Sequence, residues 1–326
     1  MTQLIDKFGR DIRYLRISVT DRCDLRCAYC MSEKMKFLPR SELLTLEELA
    51  KIAHKFIDFG VQKIRISGGE PLVRRDVMEL FADISPRLGQ DLSELTLTTN
   101  ATQLDKHADR LASLGIKRIN ISLDSLIEKT FTKISKRNAL PQVLNGIRAA
   151  KEAGLKVKIN TVLFPENINE IPHMLRWAHG QGFDMSLIEI MPMGQTDTER
   201  REQFVPMSSA KEVLSQQFTL EPMVTPTKLS GPARYSFIPE TQGRLGFISP
   251  LTNNFCAGCN RVRLTCTGRI YMCLGQEDHI DLRKALRSGG DIEAEITRAV
   301  SLKPEAHDFV ISDTPSVPRH MSVTGG

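Results

Sequence analysis

The sequence is short of aromatic residues, at 6%, and carries a formal charge of only +5 over its 326 residues. Nowhere does an apolar run approach the ~18 residues that a membrane-spanning helix requires. These shortages exclude whole classes of protein. No membrane span is expected. A nucleic-acid binder, which would interleave surface aromatics with a strongly cationic face, is not indicated, although a slight positive charge admits a small anionic substrate. The opening MTQLIDKFGRDIRYLRISVT mixes acidic and basic residues without an unbroken apolar stretch, so no secretory signal is expected. The expectation is a cytoplasmic protein, in whose reducing surroundings seven cysteines bind metal or sit in cores rather than pair as disulfides. The remaining composition, 41% hydrophobic and 25% charged, is that of an ordinary globular chain.

What is present is a repeat. Six β-rich runs, Tyr14–Thr20, Lys63–Ser67, Glu94–Thr99, Arg118–Asp124, Val157–Phe164 and Met185–Met191, alternate with amphipathic helical stretches. In one of these, TLEELAKIAHKFIDF, Thr45 and Glu48 make the pattern of a capping box, and Gly60 closes the far end. Steps of roughly 25 to 45 residues between strands suit βα units with parallel strands and right-handed crossovers. The expected fold class is α/β: a partial, open (β/α)6 TIM-like barrel over residues 1–195, with a C-terminal extension over residues 196–326. Beyond Met191 the repeat stops. The extension is rich in proline, with one clear helix in SAKEVLSQQF and a hairpin in VRLTC-TG-RIYMC that turns at Thr267 and Gly268.

The strands alternate where a closed barrel would be apolar throughout. Leu15, Ile17 and Val19 interleave with Arg16, Ser18 and Thr20, and the same alternation recurs along KIRIS, ELTLTT, RINIS and VKIN. With the apolar set against the helices, cations and hydroxyls face the lumen, whereas an ordinary eight-stranded barrel fills it with branched apolar side chains. Buried polar groups need partners, so a solvated or ligand-filled cavity is expected. Arg16, Arg65, Lys158, Arg261 and Arg263 should converge on it, and guanidinium forks suit phosphate oxygens. The alternatives are an antiparallel sheet with one wet face and, for any single arginine, a plain ion pair.

Two cysteine triads remain. CDLRCAYC spaces Cys23, Cys27 and Cys30 as x3 and x2; Cys256, Cys259 and Cys273 are spaced x2 and x13. Structural zinc takes four protein ligands, and neither triad has a fourth cysteine of its own pattern. Three thiolates on a four-iron, four-sulfur cubane leave one iron with an open position. Zinc and coincidence stay open as alternatives on spacing alone.

CDLRCAYC, with Tyr29 before its third cysteine, and SGGEP at 67–71 resemble the motifs of the radical S-adenosylmethionine (SAM) enzymes. With FCAGCNRVRLTCTGRIYMCL, KPEAHDF and the terminal double glycine, the likeness extends over nearly the whole chain to the GTP 3′,8-cyclase family of molybdenum cofactor biosynthesis. The resemblance implies two 4Fe-4S clusters, the first on Cys23, Cys27 and Cys30 with SAM chelating its fourth iron, the second on Cys256, Cys259 and Cys273 with guanine at its open iron. It implies a deoxyadenosyl radical that takes the ribose 3′ hydrogen, attack of that carbon on C8, and 3′,8-cyclo-7,8-dihydro-GTP as product. SAM contacts carry over to Tyr29, Gly69, Ser122 and Met191, where Gly68 and Gly69 would admit the cofactor closely. GTP contacts carry over to Arg16, Arg65, Thr98, Lys158, Arg261, Val262 and Arg263. Catalytic support falls to Arg16, Arg261, Arg263 and a tail of Gly325 and Gly326 reaching the active site. Ser186 stands where many relatives place an arginine, and Cys266 has no counterpart, so it is either a core thiol or a competitor of Cys273. Implied partners are GTP, an external electron donor and, by functional coupling, cyclic pyranopterin monophosphate synthase, with a monomeric or homodimeric enzyme and neither nucleic acid nor membrane. A radical SAM enzyme acting on a peptide, and a nucleic-acid binder with two zinc sites, are the competing readings.

Overall fold

The structure, a computed structural model, describes residues 3–197, 199–224, 231–312 and 314–325. Its frame is one twelve-stranded sheet. Strands β1 (Tyr14–Ser18), β2 (Lys63–Ser67), β3 (Glu94–Thr99), β4 (Arg118–Ser122), β5 (Lys156–Val162) and β6 (Asp184–Ile188) lie side by side in chain order and are all parallel. These are the six predicted strands. Four of them end two or three residues before the predicted limit, at Ser18, Ser122, Val162 and Ile188. The chain leaves the ladder there to form the loops that build the site.

The C-terminal region adds what the repeat did not reveal. Strands β7 (Glu221–Met223), β8 (Arg234–Ile238) and β9 (Gly243–Ile248) extend one edge, with β9 parallel to β6 and β8 and β7 antiparallel beyond it. Strands β10 (Arg261–Leu264), β11 (Arg269–Tyr271) and β12 (His279–Asp281) extend the other, with β10 parallel to β1 and the hairpin turning at Gly268, whose φ is +85°. Among the described residues β7 and β12 do not pair, so the sheet stays open.

Helices cover the outer face. In α1 (Leu46–Asp58) the predicted capping box is made: Glu48 N–H donates to Thr45 Oγ1 and Thr45 N–H to the Glu48 carboxylate. Its buried stripe, Leu49, Ile52, Ala53 and Phe56, packs in one continuous core with Leu15, Ile17, Ile64, Ile66, Leu95 and Leu97, none more than 1% exposed among the strand residues. Period-2 strands against period-3.6 helices thus bury the apolar set of both, and the polar set has nowhere to point but inward. No helix among the described residues is long and apolar enough to cross a membrane.

One close approach fixes a helix. Gly146 lies within Leu140–Glu152, and a Cβ there would stand 2.1 Å from the Ala101 carbonyl oxygen. Gly146→Ala should therefore destabilise the fold by about 1–3 kcal/mol through overpacking, despite the better helix propensity of alanine. Urea unfolding measures this; unchanged or raised stability would contradict the contact.

Candidate active site

The first cysteine triad rides on the loop that leaves β1. Its position is set by glycines. The N–H of Gly69 donates to Thr20 O at 2.7 Å and that of Glu70 to Arg22 O at 2.8 Å. A Cβ on Gly69 would lie 2.3 Å from Arg22 O, and one on Gly68 2.7 Å from Thr20 O. The SGGEP glycines are required by the close approach of the cysteine loop itself. Glu70 completes the joint: its carboxylate accepts from Leu72 N–H, Thr99 Oγ1 and Asn100 N–H, the last at 2.6 Å. Burial pushes that carboxyl up to about 7 against these hydrogen bonds.

All seven cysteines are free thiols. Burial, then Glu70, hold Cys23 well above the usual thiol range; burial, then Asp124, do the same to Cys27, and burial pushes Cys30 up to about 11. Asn100 Nδ2 lies 3.7 Å from Cys23 Sγ, and Tyr29 donates to Asp124 at 3.1 Å while packing on Phe164. Cys23 and Cys27 face carboxylates whereas Cys30 faces Arg200 and Arg26, and burial dominates at all three, so these thiols keep their protons unless a strongly cationic group such as a metal cluster displaces them. No three His, Cys, Asp or Glu side chains among the described residues converge tightly enough for a single ion. A cubane, which takes one thiolate on each of several irons, does not ask for that convergence.

The lumen contains the predicted cations. Arg16, Arg65, Lys158 and Arg263 are each no more than 9% exposed, and with Arg261 they line one cavity. Strand register explains the convergence: Arg16 sits opposite both Arg65 and Arg263, and Asn120 opposite Lys158. Burial holds Arg16 down to about 10, with Arg65 and Arg261 adding to the depression, and burial, then Arg65 and Arg118, bring Lys158 to about 7. Arg65 Nε, Asn120 Oδ1 and Asn160 Oδ1 are buried without a hydrogen-bond partner. Such atoms are costly unless a ligand or water meets them.

The cavity reaches the second triad. Cys256, Cys259 and Cys273 line it together with Phe255, Met272, His307 and Phe309. Here the electrostatics differ: burial raises Cys259, but Arg261, Lys303 and hydrogen bonds from Arg261 together bring it down to about 6, while burial raises Cys256 and Cys273. The tail meets one of the cavity's cations. Arg263 Nη1 donates to Gly325 O at 2.6 Å, and Gly325, at φ +70°, stands where a Cβ would be 2.0 Å from Ser67 Oγ.

The family models agree with this architecture. The Radical SAM superfamily model matches residues 17–178 and the Molybdenum Cofactor Synthesis C model residues 183–309. The chain is 55% identical to the GTP 3′,8-cyclase of Erythrobacter litoralis, covering 100% of this chain and 99% of that one, and 53% identical to the GTP 3′,8-cyclase of Mesorhizobium japonicum, covering 99% of each. This chain belongs to the GTP 3′,8-cyclase family. It is a radical SAM enzyme, and that superfamily implies a 4Fe-4S cluster and SAM. Its fold is similar to that of SuiB from Streptococcus suis bound to S-adenosylmethionine, with TM-score 0.62 at 15% identity over 97% of this chain and 79% of that one, a likeness of fold alone.

The enzyme's other predicted residues distribute unevenly. Gly69 and Ser122 stand at or just beyond strand ends, and Met191 touches both the cavity and the packing around Cys30. Thr98 receives Arg65 Nη1 at 3.5 Å. Val262 points its side chain into the helix-side core at 0% exposure, so only its main chain is left for a ligand. Gly326 lies outside the described residues. Cys266 is fully buried near Ser18, Asp21 and Arg74, with burial raising it to about 12, and it does not line the cavity. That is the environment of a core thiol.

Sequence reading missed Arg118, Tyr235 and Lys303. Arg118 lines the cavity while pairing with Glu94 at 2.6 Å, and Tyr235 on β8 meets Lys158 Nζ at 2.6 Å. Arg118 begins the RINIS strand and shares its alternation, which could have flagged it; Tyr235 sits in a short strand that no periodicity announced. Ser186 is buried next to Gly246, and neither lines the cavity, which their neighbour Tyr235 does.

Gly69→Ala should sharply lower the iron that the first triad retains, because Arg22 precedes Cys23 and must move. Iron quantified in protein whose second triad is alanine tests this; undiminished loading would show that the loop does not depend on the glycine.

Proposed function

We propose that the cavity beside the second cysteine triad receives GTP and that the bond named in the family's activity, from ribose C3′ to purine C8, is formed there. The observation that carries this reading is a buried cavity lined by Arg16, Arg65, Arg118, Lys158, Arg261 and Arg263 that is continuous with Cys256, Cys259 and Cys273. So many cations around Glu94 and Asp184 leave an excess of positive charge, and a triphosphate supplies the compensating anion.

Cys23, Cys27 and Cys30 would hold the first 4Fe-4S cluster, with Tyr29, Gly69, Ser122 and Met191 framing SAM. When bound and reduced, that pair supplies a 5′-deoxyadenosyl radical able to take hydrogen from unactivated carbon. Cys256, Cys259 and Cys273 would hold a second cluster; Arg261 lies over Phe255 and near Cys259, where it helps keep that thiol deprotonated. The polyphosphate is held by Arg16, Arg65 and Lys158, with Thr98 steadying Arg65. Arg263 is oriented by the Gly325 carbonyl, so the tail sets the direction of a guanidinium in the cavity. Residues 1–195 thus act as the radical-generating part and 196–326 as the part that completes the substrate site, with an external donor supplying electrons. A peptide substrate is disfavoured by the enclosed cationic lumen.

The decisive assay is anaerobic: reconstituted protein, SAM and reductant, with 5′-deoxyadenosine quantified beside GTP, ATP or no nucleotide. GTP-dependent formation together with the cyclised product is expected; cleavage indifferent to GTP would overturn the substrate. Lys158 gives a second test. In the empty site it is half-charged near pH 7, and an anion favours the charged form, so GTP binding takes up a proton above that pH and does not below it. Affinity should fall as pH rises from 7 to ~9, and Lys158→Met should flatten the profile. Titration calorimetry in buffers of different ionisation enthalpy reads the proton directly, and no proton uptake at pH 8 would contradict this role.

A further inference from the structure

Lys303 opens the KPEAHDF segment and is 1% exposed. An ammonium has three N–H donors, and three acceptors surround this one: Arg261 O at 2.8 Å, Met272 O at 2.5 Å and Cys259 Sγ at 3.5 Å. Two acceptors are main-chain atoms next to the second triad, one residue before Cys273 and two after Cys259; the third is a triad sulfur. The segment is itself tied down. Arg10, paired with Asp6 at 2.5 Å, donates to Pro304 O, Glu305 O and Cys256 O, at 2.5, 2.8 and 3.0 Å. Lys303 and Arg10 together touch Cys256 and Cys259 directly and the residue before Cys273.

The charge balance is the more telling feature. A buried ammonium needs an anion, and carbonyl dipoles alone do not supply one. No ion pair between Lys303 and a carboxylate is made among the described residues. The charged neighbours with the greatest influence on it are Cys259 and Cys273 on the attracting side and Arg10 and Arg261 on the repelling side. The missing anion is therefore sulfur-based, and an iron–sulfur cluster carried by three thiolates provides it.

We infer that Lys303 is a positioning residue and counter-charge for the second triad: it spaces the backbone around Cys259 and Cys273 for cluster binding and raises the reduction potential of the cluster held there. The inference rests on the second-cluster reading above. Hydrogen bonds to sulfur and nearby positive charge are levers by which a protein sets such a potential, and both favour the reduced, more negative cluster.

The test uses the full chain with Cys23, Cys27 and Cys30 changed to alanine, so that any cluster retained belongs to the second triad. Iron and sulfide are quantified and the midpoint potential is titrated in this parent and in its Lys303→Met, Lys303→Gln and Lys303→Arg derivatives. The neutral variants should show a more negative midpoint, a lower iron content, or both, and the arginine variant should return toward the parent. Parental iron and potential in both neutral variants would overturn the role of Lys303 while leaving the second cluster in place. A parent without iron would instead remove the second-cluster reading, and this inference with it. The same neutral substitutions in a chain with both triads intact control for folding: loss confined to the second triad supports the inference, and loss from both triads overturns a specific role.

Discussion

The structure depends on an inward-facing polar register. Parallel strands whose apolar residues are committed to the helices leave Arg16, Lys63, Arg65, Lys158 and Arg263 pointing at one another across a buried space. Like charges at this density repel, and burial penalises each of them further, so the cavity exists at a cost to the empty protein. Every neighbouring feature moderates that cost. Glu94 pairs with Lys63 and Arg118, Tyr14 and Tyr235 present ring faces to lysines, and the Gly325 carbonyl takes one bond from Arg263. Local stability is given up at these positions, as expected where function overrides packing.

The two cysteine triads are placed in different electrostatic settings. Carboxylates stand beside Cys23 and Cys27 and arginines beside Cys30 in the first, whereas Arg261 and Lys303 approach Cys259 in the second. In the first, burial disfavours bare thiolates. In the second, protein cations already favour a thiolate at Cys259. The cavity opens onto the second, and Met191, which lines it, packs in the same cluster as Cys30 of the first.

Much of this was legible in the sequence because period-2 alternation is a local signal. Leu15, Arg16 and Ile17 declare which face each will occupy, and strand register then forces Arg16, Arg65 and Arg263 together without further information. The triads were legible from spacing, and their connection to a family from motifs. What was not legible depends on contacts distant in sequence. Nothing near Gly69 announces that the Arg22 carbonyl will press against it, nothing near Tyr235 that its hydroxyl will meet Lys158, and a lysine before a proline gives no hint that it will be buried on sulfur. Strands β7 to β9 escaped because three-to-six-residue strands in proline-rich sequence carry too few alternations to stand out.

The placement of β9 and β10 on opposite edges bears on how the chain comes together. β1 pairs with a strand nearly 250 residues later, and the connection from β9 to β10 must carry the chain from one rim of the sheet to the other. As the polypeptide is synthesised, the six repeated units can assemble from neighbouring contacts while β1 and β6 remain open edges, each a template for unwanted strand pairing. Both edges are sealed only when the segment bearing the second triad arrives. The step that protects the nascent protein from aggregation is therefore the step that brings the second set of thiols to the cavity.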